Sequence, residues 1–277
     1  MRLLRLKSVL VATDLEETSL PALRTGARLA QLADAELHLA HVADTETAAG
    51  TDRLEEQLRR AVPEAPSPAS LHVTAGDPAA AIVERADRIG ADAIILGRHR
   101  HRSVAGGEMG STASRVVRGA RCPCLVVATE LRLPLERVLA PIDLSETAEG
   151  ALSVAFSWAS ALRPRGAQAR IIALHVGPDP LAPATEERVR EEVERARLRA
   201  GASSYVEIVS AIKPGRDAAA EILRRAGEDA VDLVVMGTRG ESGAAPGFGG
   251  VSAAVARATR HPLLLVPAAT WAEHATP

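Results

Sequence analysis

The two halves of this sequence resemble each other, and this internal repeat limits the folds that the chain can adopt. Four segments of the first half return in the same order in the second half: 9–23 at 138–152, 37–42 at 171–176, 91–100 at 230–240 and 121–127 at 260–266. A match in this order predicts one duplicated domain of roughly 130 residues rather than a solenoid of short repeats. We therefore assign residues 1–130 to a first domain and 134–270 to a second, with the junction around residues 129–136.

Within each half, short apolar runs alternate with helical stretches. Runs such as AIILG (93–97) and LVVMG (233–237) are apolar without alternation, which is typical of strands covered on both faces. The pattern predicts two tandem doubly wound α/β domains, each a five-stranded open parallel sheet with helices on both faces. Because such sheets bind ligands beyond the carboxyl ends of their strands, the loops after the first and fourth strands are the candidate sites.

Composition excludes several classes of function. The net charge is −2 and aromatic residues make up 2%, so neither nucleic acid nor an anionic membrane is an expected partner. No apolar run reaches the ~18 residues of a membrane span, and the N-terminal MRLLRLKSVLVATD predicts a first strand rather than a signal peptide. Cys122 and Cys124 flank Pro123 at a predicted strand, where we expect small apolar packing residues and neither a disulfide nor a metal site. A reducing, cytoplasmic compartment is the expected location.

Five features in a fixed order and spacing resemble the universal stress protein family, in a tandem two-domain form. They are VLVATD at the first strand, LHLAHV on the second, a glycine turn before the third helix (Gly76, Gly215), ADAIILG on the fourth strand, and a Cys-Pro or His-Pro before the last. The resemblance covers nearly the whole chain. It implies an adenine-nucleotide α-hydrolase-like, Rossmann-like fold and a role in the response to stress.

ATP-binding members of that family carry the motif Gly-x2-Gly-x9-Gly-Ser/Thr after strand four. The resemblance implies that the strand-one aspartate region holds the adenosine and that the glycine loop holds the triphosphate, with or without Mg²⁺. The physical chemistry agrees, because glycines let backbone amides approach phosphate oxygens. A Gly-Ser pair that opens a helix adds free N–H groups and the favourable end of the helix dipole.

Both copies depart from this motif. The first keeps Gly97 and Gly110-Ser111, but Arg100 replaces the second glycine within a basic run, GRHRHRS (97–103). The second keeps Gly237 and Gly240. An alignment anchored on His261-Pro262 makes Gly249-Gly250 the equivalents of Gly110-Ser111, with a loop one residue shorter and no serine hydroxyl. The other register, Gly250-Val251, restores the loop length but misplaces the His-Pro pair.

The candidate nucleotide-binding residues follow from these positions. In the first domain they are Ala12, Thr13, Asp14, Val42, Gly97, Arg100, Gly110, Ser111 and Thr112. In the second, where we expect weaker binding, they are Pro141, Ile142, Asp143, Val176, Gly237, Gly240, Gly249, Gly250 and Ser252. We favour the first copy as the ATP site because it keeps the helix-opening hydroxyl and adds positive charge. Binding in the second copy is the close alternative.

No catalytic residue can be named. The chain has no Gly-x-Ser-x-Gly elbow, and neither lysine follows a glycine-rich run, so a Walker-type loop is excluded. His99 and His101 fit a solvated loop better than a metal or nucleic-acid site. His41 and His175 end aliphatic strands and fit hydrogen-bonded packing better than catalysis.

The leading interpretation is a stress-response sensor or regulator that binds ATP and signals through a regulatory protein partner. Its rival is a protein-interaction module of the same fold whose degenerate loops have lost ATP, and an enzyme is the weakest reading. The last strands, CLVVA and LLLVP, are the expected edges of an internal pseudo-dimer. A homodimer of two chains is a further expectation.

Overall fold

The computed structural model describes residues 6–43, 48–61, 70–98, 109–178, 182, 184–201, 205–239, 249–268 and 270. The chain divides into two compact units, one of residues 6–131 and one that begins at residue 132. No helix in the described ranges is long and apolar enough to cross a bilayer.

The first unit is a parallel sheet of five strands in the order β3-β2-β1-β4-β5. Its elements are β1 (Ser8–Ala12), a 3₁₀ turn (Glu17–Ser19), α1 (Leu20–Ala33), β2 (Glu36–Ala43), α2 (Ala48–Ala61), β3 (Ser70–Ala75), α3 (Pro78–Ile89), β4 (Ala93–Gly97), α4 (Ser111–Gly119) and β5 (Cys124–Val127). Helices α1 and α2 pack together, as do α3 and α4.

The second unit repeats this arrangement, with parallel strands in the order β8-β7-β6-β9-β10. Its elements are β6 (Arg137–Ile142), α5 (Glu146–Leu162), β7 (Ala169–Gly177), α6 (Thr185–Ala200), β8 (Val206–Pro214), α7 (Ala218–Glu228), β9 (Leu233–Gly237), α8 (Gly250–Ala258) and β10 (Leu263–Val266). The predicted fold class is confirmed in both units.

The central strands form because their aliphatic side chains are buried on both faces. All five residues of β1 and all five of β9 are buried. The starts of two helices are also set by neighbouring residues. Asp77 caps α3 by accepting from the amide of Ala80 at 2.9 Å, and Asp217 caps α7 by accepting from the amide of Ala220 at 3.0 Å. Side-chain caps of this kind satisfy amides that the helix itself leaves open. The duplicated sequence therefore specifies the same layers twice.

An aspartate in each unit, half-buried Asp92 in the first and buried Asp232 in the second, ties the start of the fourth strand to the start of the first. Asp92 Oδ2 accepts from the amides of Lys7 and Ser8 at 2.6 and 3.0 Å. Asp232 Oδ2 accepts from those of Glu136 and Arg137 at 2.8 and 2.9 Å. Both lie at the amino ends of the strands, so they hold the sheet together away from the candidate ligand loops.

The two cysteines are free thiols, as the sequence predicts. Only Cys124 lies within β5, where it is buried; Cys122 precedes the strand. The Cys124 thiol donates to the carbonyl of Cys122 at 3.6 Å, and burial raises the pKa of both thiols. They are packing residues at the beginning of the strand.

Candidate functional site

A cleft opens beyond the carboxyl ends of β6 and β9 in the second unit, where the strand order changes direction. Its lining consists of Pro141, Ile142, Asp143, Ala148, Leu174, Val176, Ala218, Ile222, Met236, Gly237, Arg239, Gly249, Gly250, Val251 and Ser252. This is the edge at which open α/β sheets bind ligands. Every candidate residue named for the second domain lies in this lining except Gly240, which is outside the described residues.

The turn after β6 presents a carboxylate to solvent. Leu144 adopts a φ of 65°, and Asp143 Oδ1 accepts from both the amide and the hydroxyl of Ser145, at 3.2 and 2.5 Å. The Ser145 hydroxyl in turn accepts from the amide of Ala148 at 3.2 Å and caps α5. Asp143 is thus exposed and held in position by the start of the following helix.

The end of β7 supports the same turn. His175 Nδ1 lies 3.1 Å from the carbonyl oxygen of Ile142, and in the first unit His41 Nδ1 lies 3.0 Å from that of Thr13. Each histidine therefore fixes the end of the first strand through a backbone hydrogen bond. This is the packed, hydrogen-bonded role expected from the sequence.

Gly237 ends β9 where there is no room for a side chain. A Cβ there would lie 2.8 Å from Thr147 Cγ2 and 3.1 Å from the carbonyl oxygen of Arg239. The buried Ser252 hydroxyl donates to the Gly237 carbonyl at 2.8 Å, and the Gly249 amide donates to the Thr238 carbonyl at 2.8 Å. Ser252 therefore lines the cleft while its hydroxyl stabilises the loop.

Helix α8 begins next to the end of β9, where the Gly249 amide meets the Thr238 carbonyl. Gly249 is its N-cap and contributes no side-chain hydrogen bond, and Gly250 is the first helical residue. Among the described residues, a Cβ on Gly250 would meet no atom within 4 Å apart from its own helix backbone, so none of them closes the cleft at this point. In the first unit, α4 begins at Ser111 after the N-cap Gly110. The helix starts thus match Gly110-Ser111 to Gly249-Gly250, the register anchored on His261-Pro262.

Two charged side chains line the cleft, Asp143 after β6 and Arg239 after β9. Arg239 is half-buried, and no ion pair of its side chain is found within the described ranges. Sequence reasoning missed it because Arg239 is a variable position of the glycine motif. The signal was present, since it occupies the loop position of His99 in the basic run of the first copy.

The first unit has a different set of contacts at the same place. The Thr13 hydroxyl lies 2.7 Å from that of Ser19, donates to Gln57 Oε1 at 2.9 Å and accepts from the Leu15 amide at 3.1 Å. Asp14 Oδ1 accepts from the Glu16 amide at 3.0 Å. Thr13 is buried, so its hydroxyl serves the packing between strand and helix.

The other first-domain candidates also gather at the carboxyl edge. Ala12 ends β1 in register with Leu96, the residue before Gly97, and Val42 lies near the end of the neighbouring β2. Ser111 is exposed and Thr112 is half-buried at the start of α4. Arg100 lies outside the described residues, as do His99 and His101.

Within the residues that the structure describes, no group of three or more His, Cys, Asp or Glu side chains is arranged to hold a metal ion. The site of the second unit is therefore defined by an apolar wall, one carboxylate, one guanidinium and the open start of a helix.

The fold and cleft define a class: a duplicated doubly wound α/β protein with a glycine-lined cleft at the switch point of the second unit. The model of the Universal stress protein family matches residues 5–128 and 134–267. The chain therefore belongs to that family, with two copies of its domain.

Solved structures give the same result for the fold. A protein of unknown function from Pseudomonas aeruginosa PAO1 is 19% identical, with a TM-score of 0.69 over 98% of this chain and 96% of that one. A universal stress protein from Archaeoglobus fulgidus DSM 4304 is 22% identical, with a TM-score of 0.69 over 94% and 98%.

A universal stress protein crystallised with cAMP is 28% identical over 44% of this chain and 97% of its own, with a TM-score of 0.40. No curated protein matches the chain.

Proposed function

We propose that the protein binds an adenine nucleotide, ATP, beyond the carboxyl ends of its strands and acts as a sensor or regulator rather than as an efficient enzyme. The observation that carries this proposal is the cleft of the second unit. An apolar wall, an exposed carboxylate, a guanidinium and an open helix start all line that one space. Pockets of this composition, largely apolar with a few convergent polar groups, are typical of small-molecule sites.

The helix start and Arg239 suit the phosphate groups. The first amides of α8 have no intrahelical acceptor, and Gly249 and Gly250 carry no Cβ to keep an oxygen atom away from them. The helix dipole favours an anion at this end. Arg239, on the neighbouring loop, adds the positive charge and the forked donors that bind phosphate oxygens.

The opposite part of the cleft suits the adenosine. Ile142, Val176 and Met236 offer an aliphatic surface of the kind that excludes water from a base or a ribose. Asp143 provides carboxylate oxygens that accept from ribose hydroxyls or from the amino group of adenine. Because the Ser145 contacts already fix this carboxylate, little side-chain conformational entropy is lost when a ligand binds to it.

The first copy is a second candidate site, favoured by one specific observation. Ser111 is exposed at the first position of α4, so its hydroxyl adds a donor that Gly250 lacks. That this copy binds ATP more tightly stays a prediction, because residues 99–108 of its loop lie outside the described ranges. A cytoplasmic location, a regulatory protein partner, and the pseudo-dimer and homodimer are likewise predictions.

Calorimetric titration of the purified chain with ATP, with and without Mg²⁺, tests the proposal. Arg239→Ala should weaken binding at the second site about tenfold, since one charge-assisted contact is lost. Arg170→Ala is the matched control, because Arg170 lies at the amino end of β7 and pairs with Glu207. Unchanged affinity in Arg239→Ala contradicts the assignment of the phosphate end, and no heat of binding in the wild type contradicts the function.

A further inference from the structure

Helix α6 of the second unit carries a buried carboxyl group that the proposed nucleotide site does not use. Glu192 is 1% exposed, and its Oε1 has no hydrogen-bond partner among the described residues. An ionised carboxylate in such surroundings lacks the donors that would replace its water. The neutral, protonated form is therefore favoured at this position.

Helix α5, which packs against α6, carries a second carboxylate, Glu149, and this carboxylate pairs with two arginines of α6. Glu149 of α5 is buried, and its Oε2 accepts from Arg195 Nε at 3.0 Å. Arg199 Nε lies 3.1 Å from the other oxygen of Glu149. Glu149 is thus paired with two arginines, and its charge acts on Glu192.

Asp143 is the other negative group that acts on Glu192. Burial is the main cause that raises the pKa of Glu192 to about 7, followed by the charges of Glu149 and Asp143. Arg195 and Arg188, on the same helix as Glu192, oppose this rise only in part.

Strand β8 also packs against α6, and its charged groups interact elsewhere. Glu207 pairs with Arg170 at 2.9 Å, and Lys213 acts on Glu221 of α7. The balance of charge around Glu192 therefore comes from α5, from the turn after β6 and from its own helix.

The first unit has neutral residues at the positions of Glu192 and Glu149. The buried pair Leu54 and Leu58 in α2 matches Val189 and Val193 in α6, which makes Gln57 the counterpart of Glu192. Gln57 Oε1 accepts from the Thr13 hydroxyl at 2.9 Å. The aligned first strands likewise make Leu20 the counterpart of Glu149. The second unit thus has a titratable group at this helix position, where the first unit has a neutral one.

We propose that Glu192 makes ligand binding in the second cleft pH-dependent, so that an anionic nucleotide binds more tightly when Glu192 is protonated. This inference rests on the proposed function. The position of Glu192 lies next to the cleft wall, because its counterpart Gln57 contacts Thr13, and the counterpart of Thr13 is Ile142, which lines the cleft. Asp143 also lines the cleft, and its charge acts on Glu192. A bound polyanion adds negative charge on the same side, which stabilises the protonated form. By linkage, protonation must strengthen binding by the same factor.

The coupling predicts a wild-type affinity for ATP that is about three- to fivefold higher at pH 6 than at pH 8, beyond the change caused by the phosphate of ATP itself. One unit charge acting across a layer of side chains gives an effect of this size. The Glu192→Gln variant, which copies Gln57, should keep only the change that belongs to ATP. Glu191→Gln is the matched control, because Glu191 is the exposed neighbour on the same helix and should leave the wild-type dependence intact.

The titrations are carried out on the full chain carrying Gly110→Val, so that the first copy contributes as little as the sequence allows. Equal pH dependence in the wild type and in Glu192→Gln overturns this inference and leaves the proposed function standing. Loss of the pH dependence in Glu191→Gln as well as Glu192→Gln also overturns it, because the effect is then not specific to the buried carboxyl. Absence of ATP binding at every pH overturns the proposed function instead.

Discussion

The ends of the first strands in the two units lie in different surroundings, although the backbones around them are repeated. In the first unit, Thr13 meets Ser19 and Gln57 in a network of neutral hydrogen bonds. In the second, the corresponding first-strand residue is Ile142, and the counterpart of Gln57 is the buried Glu192. The turns themselves match, with Leu15 and Leu144 at φ values of 67° and 65°.

This difference separates what the fold requires from what it tolerates. Buried aliphatic strands, helix caps and the aspartates that tie strand starts together recur in both units because they specify the layers. The polar groups between the first strand and the covering helices are free to differ, provided that each is hydrogen-bonded, ion-paired or protonated. In the second unit Glu192 Oε1 has no hydrogen-bond partner among the described residues, and burial raises the pKa of this carboxyl to about 7.

The largest expected difference concerns the dependence of stability on pH. Glu192→Gln should remove a loss that the wild type suffers as the pH rises from about 4.5 to 7, because the unfolded chain releases this proton before the native protein does. The loss reaches about 3 kcal/mol. Below pH 4.5 the carboxyl is protonated in both states and contributes no difference.

Urea unfolding at pH 5 and pH 8, followed by the fluorescence of the fully buried Trp158, measures this loss. Trp271→Phe in the background makes Trp158 the only tryptophan. Parallel stability curves for the wild type and Glu192→Gln would show that Glu192 has an ordinary pKa.

A second comparison concerns how closely the first helix approaches the sheet in each unit. Gly26 in α1 has no room for a side chain, since a Cβ would lie 2.1 Å from Val11 Cγ2. Its counterpart in α5 is Ala155, which is fully buried. Gly26→Ala should destabilise the first unit by about 2 kcal/mol, because overpacking exceeds the gain in helix propensity. Chemical unfolding measures this, and adding Val11→Ala should recover most of the loss.

A third comparison concerns the glycines that end the fourth strands. Gly237→Ala should weaken ATP binding in the second unit about tenfold, because the new Cβ meets backbone as well as the Thr147 side chain. Gly97→Ala should leave the first unit nearly unchanged, since its Cβ would lie 3.4 Å from Ser19 Cα and from the Thr18 carbonyl oxygen. Calorimetry and thermal unfolding of both variants test the contrast, and equal effects at the two glycines would contradict it.

The smallest expected effect is a gain. Gly250→Ser gives α8 the hydroxyl that Ser111 gives α4, and the position has open space for it. One added hydrogen bond from an exposed hydroxyl to a phosphate oxygen should strengthen ATP binding about threefold. Gly250→Ala is the control without a hydroxyl, and an equal gain in both variants would trace the effect to the helix instead of to the ligand.

The fold was predictable from the sequence because its determinants are local and repeated. Aliphatic strands, capping aspartates and glycine turns recur at matched spacing, so the second copy checks the first. The positions of the candidate loops followed from the parallel topology alone, since the carboxyl ends of adjacent strands meet at one edge. For the same reason, Pro141, Gly237 and Gly249 were expected near one another.

Which side chains line the cleft, and which lie buried near it, was harder to predict from the sequence. Arg239 occupies a variable position of the motif, so its location in the cleft singles it out more clearly than its match to the basic run of the first copy. Glu192 lies on a charge-rich helix whose other acidic residues are exposed, and the sequence of α6 gives little sign that this one faces the interior. Its burial depends on α5 packing against α6, which is a tertiary fact.

The central claim, that this family member holds an adenine nucleotide, has one direct test. The purified protein is denatured by heat, any released small molecule is identified by mass spectrometry, and the nucleotide-free chain is then titrated with ATP. We expect either a co-purified adenine nucleotide or saturable ATP binding that Arg239→Ala weakens. No released nucleotide together with no binding at millimolar ATP would contradict it and would favour a protein-interaction module of the same fold.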